Sequence, residues 1–202
     1  MNSAPKKIIA FLITIFILIL MYQGAYLPLR KSQLYIDAIS QLQSGAIHSL
    51  QDFAGVFDLA LGYYSPIGQD EEVSYYTGGV LANIINQQSN PGVVDALLKD
   101  AERWMNPIIN AGKGIGYSQN LYNFAMIYQM ASQKLKNVDY LNKSVDLFYQ
   151  GLENSPNREI FLEGLLNDYE IGGDTAKAKE VGKTILKYWP DKQDIQKFIN
   201  DN

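Results

Sequence analysis

Asp70-Glu71-Glu72 is the densest run of ligating side chains in the sequence, and with Asp58 or Asp95 it offers the clustered oxygens that calcium favours. The D-x-D-x-D-G spacing of a calcium loop is absent, however. Acids just ahead of Val73 also suit the positive end of a helix dipole, and that is the reading adopted. Ala111 to Gly116 (AGKGIG) sets three glycines and Lys113 before a helix. A phosphate cradle needs a strand ahead of such a loop and Ser or Thr after the lysine. Here a helix precedes and Gly114 follows, so the segment reads as a flexible connection between helices. His48, the single histidine, has no partner at metal or triad spacing and reads as a surface or capping residue. Asn142-Lys143-Ser144 fits a glycosylation sequon by pattern alone, inside a predicted helix. With no cysteine, disulfides, thiolate metal sites and cysteine nucleophiles are excluded. No catalytic, cofactor-binding or metal-ligating residue is assigned, no cofactor is implied, and the chain is expected not to be an enzyme.

The 14 tyrosines are a different kind of candidate. Tyr63, Tyr64, Tyr75 and Tyr76 flank the Ser65–Asp70 turn as a candidate aromatic contact surface, and Tyr117, Tyr122 and Tyr128 fall on or near one helix. Amphipathic rings suit peptide or sugar binding at low entropic cost, and they equally fill seams between helices. The seam is the favoured reading.

These residues must be positioned by a chain of 202 residues, 47% hydrophobic and 19% charged, enough to bury a core and too apolar to remain disordered. The net charge of −4 is unevenly spread. Residues 1–31 carry Lys6, Lys7, Arg30 and Lys31 and no acid. From Ser32 to Leu98 there are acids and no lysine or arginine, and bases and acids nearly balance from Lys99 onward. No basic patch lies beyond Lys31, which argues against a nucleic-acid partner.

Ile8 to Leu20 reads IIAFLITIFILIL, and no charge interrupts Ile8 to Leu29. A helix of that length is roughly 33 Å long, close to the ~30 Å hydrocarbon thickness of a bilayer. Tyr22 and Tyr26 stand at belt positions, and Pro28 is expected to end the helix. A basic start and an apolar run also describe a cleaved signal peptide. The sites Tyr22-Gln23-Gly24 and Gln23-Gly24-Ala25 lack a small residue at −3, which favours a retained anchor. Basic residues flank both ends of the run. After Lys31 no base opposes translocation until Lys99, so the amino-terminal side is placed in the cytoplasm and the remainder outside.

Beyond Arg30 apolar residues recur at three- and four-residue spacings, with no convincing strand pattern. Gly, Pro and Asn clusters cut the chain into helices near 31–43, 48–62, 70–89, 92–110, 118–135, 138–154, 158–171, 175–188 and 191–200. From Leu162 the chain gives Leu165, Leu166, Tyr169, then Gly172-Gly173-Asp174, Ala178 and Pro190. Leu121, Phe124, Ala125, Tyr128, Phe148 and Pro156 form a looser upstream counterpart. Phe53, Phe57, Ala60, Leu61 and Pro66 are a weaker third echo. This pattern resembles the tetratricopeptide repeat, clearest at 118–156 and 158–190, and Pro156 and Pro190 stand one standard period of that repeat apart. It departs from that repeat at Leu166 and Ser144, where small residues or alanine are usual, and Ala178 and Gly182 would let the second helix cross the first closely. The resemblance implies a concave face built from first helices, placing Tyr122, Gln129, Glu163, Asn167 and Glu170 as partner-binding residues.

The span, Tyr26-Leu27-Pro28-Leu29-Arg30, the helix from Ser32 to Ser40, and Phe57 through Ser65-Pro66-Ile67-Gly68 with Glu71 also resemble the extracytoplasmic tail of bacterial O-antigen ligase/polymerase-type membrane proteins. The multi-span catalytic region of that family is absent, so its glycan chemistry is not carried over. The expected architecture is therefore all-α. Residues 1–29 form a cytoplasmic tip and transmembrane anchor, contacting the bilayer through 8–29, and residues 30–202 form a tetratricopeptide-like α-solenoid outside the cytoplasm. Its expected partners are proteins bound in the repeat groove. The alternative is an accessory module of cell-envelope polysaccharide machinery, with glycan contact through the tyrosines.

Overall fold

The computed structural model describes residues 3–114 and 116–201, and among these every regular element is a helix. The helices are α1 (Ser3–Met21), α2 (Leu27–Gln43), α3 (Leu50–Leu61), α4 (Gln69–Tyr75), α5 (Ala82–Gln87), α6 (Pro91–Ala111), α7 (Tyr117–Leu135), α8 (Val138–Asn154), α9 (Glu159–Ile171), α10 (Thr175–Tyr188) and α11 (Gln193–Asp201). Two π-helical segments, Tyr22–Tyr26 and Tyr76–Leu81, join α1 to α2 and α4 to α5. Ile115, in the glycine-rich loop, lies outside the described residues, as do Met1, Asn2 and Asn202.

Helix starts follow from local chemistry. Side-chain oxygens at Ser49, Asn90, Asn137 and Asp174 accept from the backbone N–H groups of Asp52, Gly92, Asp139 and Lys177 at 2.9–3.1 Å. Each satisfies a donor that the first helical turn leaves unpaired. Stops are equally local. Gly112 caps α6 in the left-handed region at φ 63°, and α10 ends at Tyr188, just ahead of Pro190.

Pro28 does not end its helix. The expectation fails because the turn ahead of the proline is widened: the Leu27 N–H donates to the Tyr22 carbonyl, five positions back. A proline ring ordinarily collides with the carbonyl four positions earlier, here Gly24, and leaves it without a donor. A π turn relieves that crowding, so the helix runs on from Ser3 to Gln43.

The chain divides into two compact units, residues 1–72 and 73–202, with the boundary inside α4. In the first unit Tyr35 meets Phe57 edge-on at 6.1 Å, and Lys31 meets the carbonyls of Ala60 and Leu61. That order of partners runs α3 back along α2. Phe53, Phe57, Ala60, Leu61 and Ala38 are buried between them.

In the second unit the partners of α7 and α8 also fall in reverse order. Tyr128 faces Tyr140, Ser144 Oγ donates to the Ala125 carbonyl at 3.1 Å, Tyr122 faces Phe148, and Gln150 donates to the Tyr117 hydroxyl. Ser144 is fully buried at this crossing, where its hydroxyl ties α8 to the backbone of α7. Next, α8 and α9 interlock through two glycines. A side chain at Gly151 would strike the Phe161 ring, and one at Gly164 would strike the Phe148 ring. Leu162, Leu166, Ile185 and Ile195 close the far end of the core. Gly182 serves a different contact from the one expected: it faces Ile195 and Ile199 of α11, so its smallness admits the terminal helix.

Candidate functional site

Two features stand apart from an ordinary helical core. The first is the bare apolar helix. Its apolar window has mean hydropathy 2.4, none of it is buried, and by length and composition it can cross a membrane. Side chains from Lys6 to Tyr26 are all exposed, and Leu27 is the first to be covered. The uncovered apolar stretch Ile8–Tyr26 is therefore about 28 Å long, again matching hydrocarbon thickness. Tyr22 and Tyr26 stack at 5.3 Å near its end.

One turn beyond Leu27 stands Lys31, which the sequence offered as a flanking positive charge. The structure corrects that reading, because Lys31 is fully buried. Its ammonium donates to the carbonyls of Ala60 at 3.2 Å, Leu61 at 2.7 Å and Tyr63 at 2.9 Å, and pairs with the Glu72 carboxylate at 3.3 Å. It thus satisfies the unpaired carbonyls at the end of α3. Burial pulls the ammonium below its ordinary pKa and pushes the Glu72 carboxyl above its own, while each partner opposes the other's shift. Ser32 Oγ donates to Glu72 Oε1 at 3.3 Å. Asp70, Glu71 and Glu72 do occupy the first turn of α4, as the dipole reading required. Glu72 has this further duty, which sequence reasoning missed because its partner lies far back along the chain, on α2.

The second feature is the face of α7 and α9. Asn167 and Glu170 are exposed there. Glu163 is half-buried and ion-paired with Lys192. Tyr122 packs against Phe148 and Phe161 in the seam. Gln129 is buried, its amide donating to the Gly164 carbonyl at 3.0 Å and to Asp168 Oδ1 at 2.9 Å. Burial pushes the Asp168 carboxyl up to about 6, against the opposing hydrogen bond from Gln129. The candidate tyrosines also part ways. Tyr64 and Tyr75 are exposed and Tyr63 is half-buried. Tyr76 is fully buried, with its hydroxyl donating to Asp100. His48 is exposed ahead of α3, and among the described residues no group of three His, Asp or Glu side chains is gathered where a metal ion could sit.

An unforeseen polar tie lies at the second π segment. Asn123 Nδ2 donates to the Ser74 carbonyl at 3.0 Å and to Ser74 Oγ at 2.8 Å, its amide filling the space that a side chain at Gly78 would need. The Gly78-Gly79 pair was the available signal, since paired glycines within a helical pattern mark a close approach. No family model matches the chain, and no curated protein or solved structure matches it either.

Proposed function

We propose that this chain is a single-span membrane protein carrying a tetratricopeptide-like solenoid of antiparallel helix pairs on the extracytoplasmic side, where it binds protein partners. The bare Ile8–Tyr26 helix carries the reading: an exposed apolar surface of that length is costly in water and suited to a bilayer. The solenoid reading is supported by the reversed partner order of α7 and α8 and by the ties from both of them onto α9. A first helix stacking on a preceding pair would make such contacts. Lys31 lies buried against Glu72, leaving Arg30 as the exposed base beyond the span, against Lys6 and Lys7 before it; this supports a cytoplasmic amino-terminal side. The role proposed is binding, without turnover.

The proposed partner face narrows to Asn167 and Glu170, since Tyr122 and Gln129 are engaged within the fold and Glu163 is ion-paired with Lys192. Asn167→Ala combined with Glu170→Ala should reduce a co-purified partner while leaving thermal unfolding unchanged. Undiminished co-purification would remove this face from the binding surface.

A further inference from the structure

We propose that the loop following α3, Gly62 to Gly68, is a second membrane contact that lies in the bilayer interface beside the emerging helix. The proposal rests on the reading of Ile8–Tyr26 as a span. Leu27 marks the end of the bare apolar stretch, and Lys31 stands about 6 Å further along the axis. Side chains on a helix lean toward its amino-terminal end, so the Lys31 ammonium reaches back toward the level of Leu27. There it holds the carbonyls of Ala60, Leu61 and Tyr63. A buried lysine therefore fixes the end of α3 and the start of the loop at the height where the span leaves the hydrocarbon.

The composition at that height is suited to an interface. No charged residue occurs from Leu59 to Gln69. Within it Leu59, Tyr64 and Ile67 are 60–66% exposed, and Pro66 is exposed as well. Scattered exposed apolar residues need no explanation, but four within one uncharged segment, pinned beside a span, form a coherent surface. The backbone is tied internally. Ser65 Oγ donates to the Ile67 carbonyl at 2.6 Å, Gln69 Nε2 donates to the Leu61 carbonyl at 2.9 Å, and Gly68 makes the turn at φ 85°. With these polar groups paired inside, the exposed side chains can enter the headgroup region at reduced desolvation cost. Tyr64 brings a ring whose apolar body and hydroxyl suit that depth, as Tyr22 and Tyr26 do on the helix.

The absence of cysteine makes the test direct. Full-length chains bearing Phe16→Cys, Ile67→Cys, Tyr64→Cys or Gln41→Cys, one at a time, are labelled with a nitrobenzoxadiazole fluorophore. They are then reconstituted in phosphatidylcholine/phosphatidylglycerol vesicles containing lipids spin-labelled at shallow or deep positions. Position 16 should be quenched by the deep label. Positions 64 and 67 should be blue-shifted and quenched by the shallow label several-fold more than position 41. Quenching at 16 with positions 64 and 67 as unquenched as 41 would overturn the loop contact and leave the span intact. Absence of quenching at 16 would overturn the span, and the loop proposal with it.

Discussion

Asp168 is an acid in the middle of an apolar helix, and the fold buries it between α7, α8 and α9 with the Gln129 amide as its donor. Its carboxyl is pushed up to about 6 from an ordinary value of 3.8, chiefly by burial. Between these two values the folded chain keeps a proton that the unfolded chain has released. The contribution to stability is thus fully present below pH 3.8 and is lost as pH rises through about 6. The loss amounts to about 3 kcal/mol. Asp168→Asn keeps an oxygen to accept from Gln129 and removes the charge. The variant should therefore be more stable than the parent at pH 7, and the difference should shrink toward pH 4, as read by thermal unfolding of the full chain in detergent. A variant less stable at pH 7 would show that the ionised carboxylate is well accommodated. Little of this was legible beforehand: Gln129 sits on a face assigned to partners, and the groups it binds, Gly164 and Asp168, stand two helices further along the chain. Side-chain ties at that range leave no local periodicity to read.

Among the helices, local signals carried most of the information. Caps at Ser49, Asn90, Asn137 and Asp174 and the stop at Pro190 place helix ends close to their expected positions, because those signals act through neighbouring backbone groups. Packing between helices was less visible. Gly151 and Gly164 sit inside strongly helical patterns, where glycine costs stability, yet each makes room for a phenylalanine of the facing helix. Gly164→Ala should destabilise the chain by about 1–3 kcal/mol through forced displacement of Phe148. Gly55, exposed on α3 with open space where a side chain would stand, is the contrasting position. Gly55→Ala should gain about 0.5–1 kcal/mol from helix propensity alone. Urea denaturation of both variants separates the two roles, and equal effects would refute the interlock. Pro28 teaches the converse. By its sequence the ring is a terminator, yet a π turn just ahead of it lets the helix pass.

At the scale of the molecule, an unequal spread of charge sets the expected topology. Lys6 and Lys7 lie exposed before the proposed span, Arg30 lies exposed after it, and Lys31 is withdrawn into the first unit against Glu72. Counted over exposed bases near the proposed span, the amino-terminal side holds the excess, and positive charge resists translocation. The long stretch without lysine or arginine from Ser32 to Leu98 then offers nothing to hold the following segment in the cytoplasm. In spheroplasts of a bacterial host, Lys183→Cys, at an exposed position on α10, should react with a membrane-impermeant maleimide. Ser3→Cys should react only after the membrane is opened. The reverse pattern would place the helical body in the cytoplasm and end the extracytoplasmic reading, while equal labelling of both without permeabilisation would mean that no span is formed. Replacing Lys6 and Lys7 together by Gln removes the excess on the first side. If charge sets the orientation, a fraction of chains should then invert, with Ser3→Cys becoming reactive in closed spheroplasts. An orientation indifferent to that change would assign control to the base-free stretch after Lys31 instead, because it alone would still favour passage.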